Sequence, residues 1–112
     1  MRRTGVFLLA AVLMSFPAWS QTTTGRLIGS TVDESGAPLP GVSVTISSPV
    51  LIGGVQIKTT DEWGEFAFLS LAPGDYTVNA ALSGFITQQR SPVRVPLGGA
   101  GVINISMPIG SF

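Results

Sequence analysis

Short stretches in which apolar and polar residues alternate, separated by clusters of Gly, Pro and Asp, constrain this chain more than any other feature. Successive side chains of a β-strand point to opposite faces, so a period of two predicts a strand with one buried face. From Gly25 onward no stretch sustains the i, i+3, i+4, i+7 apolar spacing of an amphipathic helix. The sequence therefore predicts an all-β fold.

The alternating stretches predict seven strands. The first is Leu27–Val32, whose inward face the sequence leaves open. The apolar residues that mark the other six are, in chain order, Val42, Val44 and Ile46; Val55 and Ile57, in a strand ending near Thr60; Phe66 and Phe68; Tyr76, Val78 and Ala80; Val93 and Val95, after Pro92; and Ile103, Ile105 and Met107. About seven strands with turns roughly every 8 to 12 residues predict a small β-sandwich.

The turns between these strands carry specific chemistry. Asp33-Glu34-Ser35-Gly36 and Asp61-Glu62-Trp63-Gly64 both place Asp first and Gly fourth, the preference of a type I turn. Ala72-Pro73-Gly74-Asp75 fits a type II turn, because Pro restrains φ and Gly accepts a positive φ. Trp63 is unusual, since a polar residue is expected at the third position. It either folds back over a neighbouring strand or contacts a sugar or a protein partner.

Composition excludes several function classes. The 112 residues include no His and no Cys, the usual side chains of catalytic bases, reactive dyads and zinc sites. Charged residues make up only 11% of the chain, without the basic cluster that nucleic acid binding needs. Asp61, Glu62 and Glu65 lack the pattern of a calcium-binding loop, which must supply about six or more oxygens. We therefore expect no enzyme, cofactor, metal site or nucleic acid partner.

The first twenty residues have the pattern of a Sec-type signal peptide. Arg2-Arg3 precedes an apolar run from Val6 to Met14, and small residues follow at 18 and 20. This run is too short for a membrane-spanning helix, which needs about 20 apolar residues. We predict a protein without a transmembrane segment after cleavage, exported to the periplasm, the outer membrane or the medium. The predicted parts are a signal peptide at 1–20, a linker at 21–24, one domain at 25–108 and a tail at 109–112.

Four motifs in a fixed order resemble a known family. They are G-S-T-V-D-E-S-G-A-P-L-P-G-V-S-V-T-I at 29–46, T-T-D-E-W-G-E-F-A-F at 59–68, L-A-P-G-D-Y-T-V at 71–78 and S-G-F at 83–85. This order resembles the carboxypeptidase regulatory-like domain, which implies a seven-stranded Greek-key β-sandwich of the transthyretin or prealbumin type. The resemblance implies structural roles for Gly36, Gly41, Gly64, Phe66, Phe68, Pro73, Gly74, Tyr76, Gly84 and Phe85.

Further features resemble the N-terminal extension of Oar-like TonB-dependent outer-membrane receptors. These are the signal-peptide pattern, the domain that begins just after it, the insert Ser48–Val55 and the strand end Ile103–Pro108. The resemblance implies a non-catalytic module that contacts a protein partner in the periplasm or outer membrane, or acts as a spacer. The alternative is a carbohydrate-binding module with a starch-binding-like sandwich, in which Trp63 and Tyr76 are the candidate stacking residues.

Overall fold

The computed structural model describes residues 23–110, so the predicted signal peptide at 1–20 lies outside the described residues. The chain forms seven strands in two sheets of order β4-β1-β7 and β3-β2-β5-β6. The strands are β1 (Gly25–Val32), β2 (Ser43–Ser47), β3 (Val55–Thr59), β4 (Glu65–Leu71), β5 (Gly74–Ala81), β6 (Gln88–Val95) and β7 (Ala100–Ser106). The predicted all-β, seven-stranded sandwich is confirmed. Within residues 23–110 we find no helix with the length and hydropathy to cross a membrane.

Strand β1 is the central strand of the three-stranded sheet. It pairs antiparallel with β4 on one side and parallel with β7 on the other. In the second sheet, β2 pairs antiparallel with β3 and β5, and β5 pairs antiparallel with β6. Beyond β7, Ile109 pairs with Phe85 through two backbone hydrogen bonds, from the N–H of Ile86 to the carbonyl of Pro108 and from the N–H of Gly110 to the carbonyl of Gly84. The start of the predicted tail thus contacts the body of the domain.

The inward residues predicted for β2, β4, β5, β6 and β7 form the core. Phe85 and Ile103 pack against it and are half-buried. The buried apolar side chains are Leu27, Val42, Val44, Ile46, Phe66, Phe68, Leu71, Tyr76, Val78, Ala80, Val93, Val95, Ile105 and Met107.

The open question of the inward face of β1 is answered by a close approach at Gly29. Leu27 and Thr31 point inward and are fully buried, whereas Ile28 points outward. A Cβ atom at Gly29 would lie 2.6 Å from Cζ of Phe66, so the ring occupies the space that a side chain would need. Burial of a large aromatic ring therefore depends on a glycine in the neighbouring strand.

Strand β6 begins earlier than predicted. It starts at Gln88 rather than after Pro92, which lies inside the strand. Pro92 is tolerated because β6 is an edge strand and its pairing with β5 shifts register between Tyr76 and Val78. Proline is confined in sheets to such edges and irregularities, because it lacks a backbone N–H.

The type II turn predicted at Ala72–Asp75 is wrong. Gly74 has a positive φ, but at 154° it lies far from the value of about 80° that this turn requires. The carbonyl of Ala72 instead accepts a hydrogen bond from the hydroxyl of Tyr76 at 2.7 Å. This is the arrangement of a tyrosine corner, in which a buried tyrosine ties a strand start to the chain just before it.

Two buried threonines connect β1, the loop after it and the end of β3. The hydroxyl of Thr31 donates to the carbonyl of Leu39 at 2.7 Å, and that of Thr60 donates to the same carbonyl at 3.0 Å. Thr60 Oγ1 also accepts from the N–H of Val42 at 2.9 Å, and the N–H of Thr31 donates to the carbonyl of Gly64 at 2.7 Å. Each buried hydroxyl thus satisfies backbone groups that water cannot reach.

The two D-E-x-G turns have the same hydrogen bonds. In each, the carbonyl of the leading Asp accepts from the glycine N–H, at 3.0 Å in Asp33–Gly36 and 2.9 Å in Asp61–Gly64. Each Asp carboxylate also accepts the backbone N–H groups two and four residues later. The predicted four-residue turns are confirmed, and they differ in what surrounds the glycine.

We predict a large difference between the same substitution in these two turns. Both glycines have positive φ, 89° at Gly36 and 73° at Gly64, so alanine strains either one. A Cβ at Gly36 meets nothing within 4 Å, whereas at Gly64 it would lie 2.5 Å from Thr31 O and 2.9 Å from Leu39 N. Gly36→Ala should cost about 1 kcal/mol of unfolding free energy, and Gly64→Ala at least about 3 kcal/mol. Urea denaturation measures both, and equal losses would contradict the structure.

The first of these turns should also respond to acid. The hydroxyl of Ser35, which donates to Asp33 at 2.7 Å, and then the N–H of Ala37 lower the pKa of Asp33 below its ordinary 3.8. A carboxylate whose pKa is lower in the folded state stabilises the protein at pH values above its pKa in the unfolded state. This stabilisation is lost as the pH falls through the pKa of the folded state. We predict that Asp33→Asn lowers the urea midpoint at neutral pH and that the difference from wild type shrinks below about pH 4. Glu34→Gln is the control, and a pH-independent difference for Asp33→Asn would contradict the prediction.

Candidate functional site

The strand directions place the loops at two ends of the sandwich. One end, here called the turn end, gathers the β1–β2 loop, the β3–β4 turn, the β5–β6 loop and residues 107–110. The other, here called the insert end, gathers residues 23–24, the insert after β2, the β4–β5 connection and the β6–β7 loop. Trp63, the candidate contact residue, and the insert therefore lie at opposite ends.

Trp63 is exposed at the turn end. Its side chain is 63% accessible, which answers the question that the sequence left open. Its backbone N–H donates to the carboxylate of Asp61 at 3.0 Å, and Gly64 behind it contacts the buried threonine network. The tryptophan is thus displayed on a turn with a well-defined backbone, and a contact role for it stays a prediction.

Tyr76 does not lie beside Trp63 as a second stacking surface. Its side chain is only 1% exposed, and burial raises the pKa of its phenol. Phe66 and Phe68 are buried and meet edge to face with ring centroids 6.0 Å apart, while Phe85 is half-buried. Within residues 23–110, Trp63 is therefore the one exposed aromatic side chain.

The other motif residues occupy positions that fit the structural roles implied by the resemblance. Pro73 is half-buried in the bend between β4 and β5. Positive φ angles are found at all five motif glycines, Gly36, Gly41, Gly64, Gly74 and Gly84. None of these residues presents a side chain that could carry chemistry.

An open groove of about 620 Å³ lies over the outer face of the β4-β1-β7 sheet. Its apolar lining includes Ile28, Ala67 and Val102, which are neighbours in the strand register, and Phe66. Lys58, Asp61, Glu65 and Asn104 add polar groups, and Ser30 donates a hydrogen bond to Asn104 at 2.8 Å. A groove this open does not enclose a small molecule, so it suits surface contact better than catalysis.

The acidic side chains of the described chain take part in turns and one ion pair. Asp33 and Asp61 accept backbone hydrogen bonds in their turns, and Asp75 pairs with Arg94 at 3.3 Å on the surface. No group of three or more potential metal-ligating side chains comes together among residues 23–110. The three acidic residues Asp61, Glu62 and Glu65 are therefore explained as residues of a solvated turn and the strand after it.

The insert end presents the most exposed apolar side chain in residues 23–110. Ile52 is 97% accessible, at the tip of the insert. The base of the insert is anchored, because Ser48 Oγ donates to the carbonyl of Asp75 at 2.7 Å and Leu51 packs against the core. The residue of the insert that points away from the domain is therefore Ile52.

Solved structures with this fold come from several bacterial proteins. The alignment with the Bacillus anthracis TIE protein has 20% identity and a TM-score of 0.67, and it covers 78% of this chain and 17% of the TIE chain. The minor pilin GBS52 of Streptococcus agalactiae is 18% identical with a TM-score of 0.61, covering 82% and 47%. A putative carbohydrate binding protein from Bacteroides uniformis is 17% identical with a TM-score of 0.58, covering 73% and 40%. These TM-scores establish a shared β-sandwich fold, and the chain spans less than half of each of these structures.

The sequence also matches one family model over most of its length. The match is to the carboxypeptidase regulatory-like domain and covers residues 26–108, which include the two D-E-x-G turns and all seven strands but for Gly25. A search of curated proteins found no match. The structures that share the fold include a pilin and a dioxygenase, so the fold by itself assigns no activity. With its fold and its motifs in agreement, the chain belongs to the carboxypeptidase regulatory-like domain family.

Proposed function

We propose that this chain is an exported, non-catalytic β-sandwich module that mediates protein contact or spacing. Its setting is the periplasmic N-terminal extension of a TonB-dependent outer-membrane receptor, or a free-standing relative of such an extension. The observation that carries the contact role is the set of large aliphatic side chains exposed on residues 23–110, of which Val102 lines the open groove and Val55 and Ile57 lie on the same face of β3. Exposed apolar side chains that form a contiguous patch mark protein-interaction sites.

The insert supports the contact role because its base is anchored and its tip is exposed. Val50 is 43% exposed and lies over Gly74, while Ile52 projects fully into solvent from the anchored base. An anchored loop loses less conformational entropy on binding than a free one, which favours affinity. The basic start and apolar run at residues 1–20 support export, and the insert and strand-end motifs support the receptor setting.

The receptor setting predicts more coding sequence. We expect the codon for Phe112 to be followed in frame by codons for a plug and a large barrel, and the product to fractionate with the outer membrane. Reading the gene downstream of that codon and fractionating the cells are the two measurements. A stop codon directly after Phe112 would contradict the receptor extension and leave the free-standing relative. Retention of the product in the cytoplasm would contradict export.

Carbohydrate binding is the second candidate, and it depends on Trp63. An exposed tryptophan on an ordered turn can stack on a sugar ring, and a putative carbohydrate binding protein shares the fold. The buried position of Tyr76 removes the partner ring that sugar platforms normally present. Protein contact therefore remains the better-supported function.

A glycan array separates the two candidates. We expect the wild-type protein to bind no glycan above background. Carbohydrate binding requires a signal that Trp63→Ala reduces about fivefold or more, since loss of a stacking contact is worth about 1 kcal/mol or more. Leu97→Ala is the matched control, because Leu97 is 61% exposed at the opposite end of the sandwich. A glycan signal lost in Trp63→Ala and kept in Leu97→Ala would replace protein contact by carbohydrate binding.

A further inference from the structure

Strand β3 is an exposed edge with apolar side chains. It lies at the end of the β3-β2-β5-β6 sheet and pairs only with β2 in that sheet. Val55 is 55% and Ile57 is 62% exposed, on the outer face beside Ser47 and Thr45 of β2. An apolar edge of this kind is a template for pairing with another strand, and proteins normally protect such edges.

The hydrogen-bond pattern shows which backbone groups of β3 are free. The N–H of Thr60 donates to the carbonyl of Val42 at 2.9 Å, so this pair lies at a hydrogen-bonded position of the β2–β3 ladder. Such positions alternate along an antiparallel pair, so Lys58 and Gln56 also direct their backbone groups toward β2. The N–H and C=O groups of Val55, Ile57 and Thr59 must then point to the free edge.

We propose that this edge pairs with β3 of a second copy of the chain, antiparallel, about a twofold axis at Ile57. In this register Ile57 faces Ile57 of the other copy, and Val55 faces Thr59. Each of these pairs has both backbone groups available, so each can exchange two hydrogen bonds. The result is one continuous sheet across two copies, a self-complementary interface of the kind that twofold dimers use. The inference is independent of the receptor setting.

In this register β3 is self-complementary, because its free backbone groups pair and its lysines do not face each other, which favours a second copy as the occupant. Lys58 is the one charged residue of the strand, and an axis at Ile57 places it opposite Gln56. Moving the axis to Lys58 would set two lysines directly opposite each other, which is unfavourable. With the axis at Ile57, the exposed side chains of Val55 and Ile57 from both copies also form one apolar stripe on the outer face.

Self-association of the purified protein tests the proposal. Sedimentation velocity from about 1 μM to about 1 mM should show a concentration-dependent dimer in the affinity range of small interfaces. Ile57→Pro removes the N–H that faces the second copy and leaves the bonds to β2 in place, so we expect at least about tenfold weaker dimerisation. Ile57→Lys should weaken it comparably, because two like charges then meet at the axis.

Val102→Lys is the matched control, since Val102 is 63% exposed on the outer face of the other sheet. It should leave the dimer unchanged. If Ile57→Pro fails to fold by circular dichroism, Ile57→Lys alone decides the result. Amide hydrogen exchange at Ile57 should slow as the wild-type concentration rises. A monomer at every concentration, or a dimer weakened by Val102→Lys and not by Ile57→Lys, would overturn the proposal and leave the β3 edge to an extended segment of another protein.

Discussion

Two threonine hydroxyls in the core hold the turn end of this sandwich together. Thr31 and Thr60 share the carbonyl of Leu39, and through backbone bonds to Gly64 and Val42 they connect β1, the following loop and the β3–β4 turn. An apolar core could fill the same volume, but it could not satisfy the backbone groups that the crossing loop brings inside. The position of the exposed tryptophan turn therefore depends on buried polar contacts.

The functional surfaces of the domain are consequences of this framework. The sandwich buries one face of six strands well, and it leaves the apolar residues of β3 outside because Val55 and Ile57 pair in register with the outward-facing Ser47 and Thr45 of β2. The insert that follows β2 is anchored at its base and exposed at its tip. Contact surfaces of this domain thus come from edges and loops, as is usual for scaffolds whose core serves stability.

Local chemistry explains why so much of the fold was predictable. Alternation located all seven strands, and the D-x-x-G pattern located two turns, because both signals act over a few residues. The extent of β6, the conformation at Gly74 and the exposure of Trp63 depend on partners distant in sequence. The sequence does not identify Thr31 and Thr60 as core residues, because a buried threonine has the same local pattern as an exposed strand threonine. No local signal marks it.

The sequence by itself determined the fold class, the family, the turn positions and most of the core, since period, turn chemistry and motif order are written in neighbouring residues. Only the tertiary structure decided which face of β1 turns inward, because that depends on Phe66 filling the space over Gly29. It also decided that Trp63 stands exposed and that Val55 and Ile57 line a free edge. The exposure of a side chain depends on which elements pack beside it, and the order of the strands in the two sheets determines those elements.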